Sequence, residues 1–216
     1  MRFKAAGFQF AVIVAAVVFG LSGQASARTL QLVGLGDSLM AGYQLPPGNG
    51  FPAKLEASLK AKGVDVAIND AGVSGDTTSG GLSRVDWSVP DGTDGVILEL
   101  GANDALRGIP PEDSEKNLDA IISKLQARHI PVLLAGMLAP PNMGGDYAAR
   151  FNPIYQRLAD KYKLTLYPFF LDGVAGQAKL QLEDGMHPNP GGVDVMVRRF
   201  EPVAQKFIGT IAAAQK

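Results

Sequence analysis

The fold of this chain is decided by the stretch Leu30-Gln31-Leu32-Val33-Gly34-Leu35-Gly36-Asp37-Ser38. Its first six residues form a short, mostly apolar run of the kind typical of β-strands, which predicts a strand over 30–35. That strand ends in a glycine, an acid and a serine, so its carboxyl end brings polar groups to one point. In open parallel sheets, ligands bind outside the carboxyl ends of the strands. Ser38 is therefore the first candidate for a residue of the functional site.

The same pattern of a strand that ends in a polar, glycine-containing turn occurs twice more along the chain. One turn is Asn69-Asp70-Ala71-Gly72 and the other is Gly101-Ala102-Asn103-Asp104. Strands that alternate with helices predict a parallel sheet covered on both faces, because parallel neighbours need crossover connections. The expected fold is an α/β fold of the three-layer α/β/α sandwich type. Its predicted strands are 30–35, 64–68, 95–100, 131–137 and 165–170, and its predicted helices are 51–62, 112–128, 146–162 and 191–211.

The composition limits the classes of function that the chain can have. It has 216 residues, with 20 basic and 21 acidic side chains that do not run in blocks of one sign. This balance argues against a nucleic-acid partner, and the length fits one domain. The chain has no cysteine, which excludes disulfides, thiolate metal sites, a cysteine nucleophile and a lipidated cysteine. Any covalent catalysis must use oxygen or lysine.

The N-terminus has the three-part pattern of a secretory signal. Arg2 and Lys4 precede an apolar run over 10–21, and small residues follow up to Ala27. The run is well short of the roughly 20 residues that a spanning helix needs, which argues against a stable membrane anchor. We predict a signal peptide over residues 1–27, cleaved after Ala27, and a single domain over residues 28–216.

Two histidines are available as a general base. His129 lies between a predicted helix and the fourth strand, at the amino end of the sheet, and we interpret it as a surface or helix-terminal residue. His187 lies in a loop after the fifth strand, where glycine and prolines favour irregular backbone. Asp184 could accept a hydrogen bond from its Nδ1–H and hold the tautomer that leaves Nε2 free. Taken alone, Asp184 could equally cap the final helix or shape a turn.

Ser38 is the candidate nucleophile, because it lies at a strand end where the amides of a following helical turn favour negative charge. The alternative is an ordinary N-cap serine. Candidate donors to a tetrahedral oxyanion are the backbone N–H of Gly75 and the carboxamide of Asn103, each of which could instead have a role in a turn. The Gly-x-Ser-x-Gly elbow of regular α/β-hydrolases is absent.

The chain contains, in this order, the blocks Gly36-Asp37-Ser38-Leu39, Gly75, Gly101-Ala102-Asn103-Asp104 and Asp184-Gly185-Met186-His187. Together they resemble the GDSL, or SGNH, hydrolase family, and the likeness covers nearly all of the chain after residue 27. It looks closest to a bacterial periplasmic branch of multifunctional acyl-CoA thioesterases, arylesterases and lysophospholipases, which implies a periplasmic location. The resemblance also implies a five-stranded flavodoxin-like sheet, with Ser38 as nucleophile, Asp184 and His187 as its partners, and an oxyanion hole made by the Ser38 amide, the Gly75 amide and Asn103.

Two residues depart from the family pattern after the serine. Met40 and Gln44 stand where small residues or glycine are expected, and we expect them to alter acyl preference rather than to remove catalysis. The segment 138–147 takes the place of a substrate-lining loop in similar enzymes, and its glycines leave room for movement. Its alternative interpretation is a long surface connection.

The sequence thus predicts a serine hydrolase that cleaves small-molecule carboxylic esters and thioesters through an acyl-enzyme. This chemistry needs no metal and no organic cofactor. With two histidines and no cysteine, a metal site would have to be nearly all oxygen. Two alternatives stay open: a carbohydrate O-deacetylase that uses the same residues, and a non-catalytic module that binds lipid or glycan.

Overall fold

The computed structural model of the protein describes Met1 and residues 28–214. The predicted signal peptide therefore lies, apart from Met1, outside the described residues, and the domain boundary at residue 28 stays a prediction. Among the helices that the structure describes, none has both the length and the hydropathy of a membrane span.

A five-stranded parallel sheet forms the centre of the molecule, with the strand order β2-β1-β3-β4-β5. Every neighbouring pair of strands is parallel, which confirms the predicted sheet. Its central strand β3 is buried at each position, as expected for a strand covered on both faces. The strands are β1 Leu30–Gly36, β2 Val66–Gly72, β3 Gly95–Glu99, β4 Val132–Ala135 and β5 Thr165–Tyr167.

The helices form layers that cover the sheet. Helix α2 packs against α8, whereas α5 packs against both α3 and α7. The structure thus confirms the predicted α/β fold. The helices are α1 Ser38–Ala41, α2 Phe51–Ala61, α3 Thr78–Ser88, α4 Ala102–Leu106, α5 Pro111–Ala127, α6 Gly145–Phe151, α7 Ile154–Tyr162 and α8 Pro190–Ala214.

Aromatic side chains hold the helices on the sheet. Phe51 of α2 contacts Phe170 and Phe200 edge to face, with ring centroids 4.7 and 5.1 Å apart. All three rings are fully buried, and edge-to-face pairs of this kind add to the free energy gained from burial. The cluster joins α2 and α8 to the segment that follows β5.

The observed elements differ from the predicted ones at several places. Strand β2 continues to Gly72, paired along β1, although 69–72 was predicted as a turn. The predicted helix over 146–162 is two helices, because Pro153 has no N–H to continue the hydrogen-bond ladder. Helix α3 was not predicted: its eleven residues include two glycines and three serines, and they carry only a weak apolar stripe.

Candidate active site

The turn between β1 and α1 places Ser38, the first residue of α1, at the carboxyl end of the sheet, where its side chain is largely buried. Asp37 caps α1, since its carboxylate accepts a hydrogen bond from the Leu39 amide at 3.0 Å. Glycine is required at position 36, because a Cβ there would lie 2.8 Å from the backbone carbonyl oxygen of Glu99 in β3. The close approach of β3 thus fixes the backbone just before the serine.

The structure joins the three residues of the predicted triad by hydrogen bonds. The Oγ of Ser38 lies 2.8 Å from Nε2 of His187, and Nδ1 of His187 lies 2.6 Å from Oδ2 of Asp184. The second carboxylate oxygen of Asp184 accepts the backbone N–H groups of His187 and Met186. These interactions, that of the His187 amide first, lower the pKa of Asp184 to about 2. Asp184 is therefore ionised at neutral pH and can orient the imidazole.

The loop that carries His187 is held on both sides. The carbonyl of His187 accepts the Leu182 amide, and Gln181 bridges to Pro188. The ring of Tyr43 lies against the imidazole, with centroids 4.6 Å apart and an angle of 40° between the planes. Nothing in the sequence indicated that Tyr43 contacts His187, and this contact is a finding of the structure.

The three predicted oxyanion donors differ in where the structure places them. Ser38 and Asn103 line the same cavity as His187, whereas Gly75 is not among its lining residues. Gly75 has a φ of 85° and its carbonyl accepts a hydrogen bond from the Arg107 guanidinium at 2.8 Å. Its N–H donates no hydrogen bond to any residue that the structure describes. An oxyanion role for Gly75 stays a prediction.

The carboxamide of Asn103 is already engaged. Its Nδ2 donates to the Asp37 carboxylate at 3.1 Å and to the Asp76 carbonyl at 2.9 Å. These two bonds use both amide hydrogens, so an oxyanion would have to share one of them. The bonds also fix the direction in which the amide points.

Replacing Asn103 by alanine is expected to lower kcat by roughly 10²–10³-fold, the usual cost of losing one oxyanion donor. KM should change much less, because the lost bond strengthens in the transition state. Steady-state kinetics with an activated ester would measure both values. Asn117→Ala is the matched control, since that carboxamide binds Thr78 and does not line the cavity. A kcat within about threefold of the wild type would exclude Asn103 as a donor.

The cavity next to Ser38 has a volume of about 480 Å³. This is in the range of pockets that enclose small organic molecules. Apart from the polar groups at Ser38, Asn103 and His187, most of its wall is apolar. That wall includes Leu106, Met137, Leu138, Phe169, Leu171 and Met186.

The second histidine, His129, lies away from the cavity, as predicted from the sequence. His129 directly follows the last turn of α5, with a φ of 58°, and precedes β4. It is thus at the amino end of the sheet, opposite the cavity, which confirms its interpretation as a helix-terminal residue.

A buried arginine that was not predicted from the sequence binds several segments next to the site. Arg84 donates to the Gly36 carbonyl at the end of β1, to the Ala71 carbonyl in β2 and to the carboxylate of Asp76. It lies in α3, which was not predicted, so no pattern pointed to it. Glu99 was missed as well, although a single acid within an otherwise apolar strand was a signal that could have found it.

Comparison with known proteins identifies the family of this chain. Residues 35–195 match a family model described as the GDSL-like Lipase/Acylhydrolase family. The chain is 38% identical over 179 residues to an arylesterase of Vibrio mimicus, covering 82% of this chain and 90% of the relative. It is 39% identical over 169 residues to Esterase TesA of Pseudomonas aeruginosa, covering 78% and 83%. Thioesterase 1/protease 1/lysophospholipase L1 of Escherichia coli K12 is 34% identical over 184 residues, covering 83% and 86%.

Solved structures give the same result. The crystal structure of AlinE4, an SGNH-hydrolase family esterase, is 44% identical to this chain and has a TM-score of 0.71, covering 83% of this chain and 97% of that one. The crystal structure of TesA is 34% identical with a TM-score of 0.78, covering 82% and 99%. Both the sequence and the fold are therefore similar to those of known esterases, and the chain belongs to the GDSL-like lipase/acylhydrolase family, as an ester hydrolase.

Proposed function

We propose that this ester hydrolase acts through an acyl-enzyme on Ser38 and accepts both carboxylic esters and thioesters with an apolar acyl chain. The observation that carries the proposal is the hydrogen-bonded series from Ser38 through His187 to Asp184 at the edge of an apolar cavity. The names of the relatives, arylesterase and thioesterase, support both an alcohol and a thiol as the leaving group.

Each residue has a defined step in the proposed mechanism. As the Oγ of Ser38 attacks the acyl carbon, its proton passes to Nε2 of His187, and the Asp184 carboxylate stabilises the imidazolium. Asn103 and the Ser38 amide donate to the oxyanion, with Gly75 as a further predicted donor. His187 then returns the proton to the departing alcohol or thiol. Water, activated in the same way, hydrolyses the acyl-enzyme.

The apolar wall of the cavity favours an acyl chain over an acetylated sugar. Each methylene group that leaves water on binding contributes about 0.8 kcal/mol, or roughly a fourfold gain in affinity. An acetyl group would leave most of the 480 Å³ unused. The carbohydrate O-deacetylase is therefore the second candidate. Export by a signal peptide over residues 1–27 and a periplasmic location are part of the proposal.

The test is a series of p-nitrophenyl esters from acetate to octanoate, together with an acyl-CoA thioester and an acetylated oligosaccharide. We expect kcat/KM to rise with chain length beyond acetate, and the acetylated sugar to be the poorest substrate. The variant Ala175→Phe adds bulk to an exposed position of the cavity wall. It should lower the octanoate-to-acetate ratio of kcat/KM by roughly tenfold.

The matched control for this series is Ala178→Phe, an exposed alanine that is not among the lining residues. Its ratio should equal that of the wild type. A preference for acetate, with rapid release of acetate from the oligosaccharide, would favour the deacetylase instead.

A further inference from the structure

Two carboxyl groups lie side by side directly behind the nucleophile. Asp37 precedes Ser38 in the chain, and Glu99 is the last residue of β3; neither side chain is exposed to solvent. The Oε2 of Glu99 accepts the backbone N–H of Asp37 at 3.2 Å. Its other oxygen, Oε1, is buried and receives no hydrogen bond from any donor in the described part of the chain. A buried carboxylate oxygen without a donor is costly, so this atom needs an explanation.

The partners of the two groups differ in a way that decides which one is charged. Both oxygens of Asp37 accept hydrogen bonds, from the Leu39 amide and from the Asn103 carboxamide. Among the described residues, Glu99 accepts one hydrogen bond, from the backbone N–H of Asp37. Two carboxylates this close in a dry environment cannot both be ionised. The charge is best solvated on Asp37, which leaves the proton on Glu99.

The electrostatics of the pair agree with this assignment. Burial raises the pKa of Glu99 well above its ordinary value, and the nearby charge of Asp37 and a hydrogen bond between the two side chains act in the same direction. Burial also raises the pKa of Asp37, to about 6, but the Leu39 amide and Asn103 oppose that rise. A neutral Glu99 also explains the oxygen that receives no donor, because a buried carboxyl oxygen without a donor costs less when the group carries no charge.

The other charged and titratable groups around the pair do not supply a donor to Glu99. Arg84 binds the Gly36 carbonyl and Asp76, and the hydroxyl of Tyr155 binds the Leu100 carbonyl. Asp104 is occupied by Thr78 and Ser114, and its charge raises the pKa of Asp37 further. His187 lies on the cavity side, where it favours the ionised form of Asp37. These neighbours leave Glu99 with Asp37 as its partner.

We propose that Glu99 is a positioning residue whose neutral carboxyl donates its proton to Asp37, and thereby fixes the carboxylate that orients Asn103 and caps the helix beginning at Ser38. Asp37 contacts both the oxyanion donor Asn103 and the first turn after the nucleophile, so a shift of Asp37 would move both. The effect of Glu99 on catalysis rests on the function proposed above. The protonation state of Glu99 does not depend on that function.

The kinetic test compares two substitutions of similar size. Glu99→Gln keeps a neutral group that can donate to Asp37, and it should hold kcat within roughly threefold of the wild type. Glu99→Met removes the donor and leaves the Asp37 carboxylate short of one hydrogen bond, so kcat should fall by roughly 10–100-fold with KM little changed. Thermal unfolding of each purified variant would show whether it is folded.

A spectroscopic test gives an answer that does not depend on activity. With ¹³C at the glutamate side-chain carboxyl, one glutamate signal should still have the chemical shift of a protonated acid at pH 7, far above the ordinary glutamate pKa of about 4.3. That signal should be missing in Glu99→Gln. This measurement tests whether Glu99 is protonated even if Glu99→Met fails to fold.

The proposal is overturned by any one of three results: no protonated glutamate at pH 7, a Gln variant as impaired as a folded Met variant, or a Met variant as active as the wild type. If Ser38→Ala kept its activity, the proposed acyl-enzyme mechanism would fail on its own. The carboxyl signal would still show whether Glu99 is neutral.

Discussion

Ser38→Ala is expected to lower kcat for an activated ester by about 10⁶-fold, because without Oγ no acyl-enzyme can form. The residual rate should still exceed that of water, since the oxyanion donors and the binding cavity are unchanged. Two measurements check this: steady-state hydrolysis of p-nitrophenyl butyrate, and mass spectrometry after treatment with a fluorophosphonate. The reagent should modify the wild type once, at Ser38, and the variant not at all.

Ser83→Ala is a suitable control, because that exposed serine binds the Gly80 carbonyl on α3 and is not among the cavity-lining residues. It should keep full activity and full labelling. Equal turnover by Ser38→Ala and the wild type would refute the serine mechanism. A wild type that neither turns over nor reacts with the fluorophosphonate would point to the non-catalytic binding module.

Asp184→Asn is expected to reduce kcat by about 10⁴-fold without disturbing the loop. The amide oxygen of the new side chain can still accept the N–H groups of His187 and Met186, as the carboxylate does now. Its NH₂ group would then face Nδ1 of His187, which could only accept. The proton would have to lie on Nε2, and the ring could no longer take the proton of Ser38. Kinetics at saturating ester would measure the loss.

The control for this variant is Asp172→Asn, an exposed carboxylate that pairs with Arg199. Its kcat should stay within about threefold of the wild type. A loss below about tenfold in Asp184→Asn would show that Asp184 shapes the loop rather than orienting the base, which is the other role that the sequence left open.

The β-strands could be predicted from sequence where they are buried on both faces. Strand β3 is a continuous apolar run, and its predicted range differs from the observed one by a single residue. The end of β2 could not be predicted in this way, since its polar residues 69–70 are exposed at the sheet edge and read as a turn. Main-chain pairing with β1 stabilises that end and leaves no trace in the side-chain pattern.

Some features of the candidate site could likewise be predicted from the sequence, and others could not. The positions of Ser38 and His187 followed from strand ends and from the small number of histidines. The contacts of Asn103 did not, because Asp37 and Asp76 reach it from two other loops. Hydrogen bonds between residues distant in the chain depend on the final packing, and one sequence carries no direct record of them.

The buried guanidinium of Arg84 has a consequence for motion. It binds carbonyls in both β1 and β2 and also holds Asp76, whose own carbonyl binds Asn103. We therefore expect these segments to move together rather than separately. The distance between Ser38 Oγ and Asn103 should then vary less than the position of either loop.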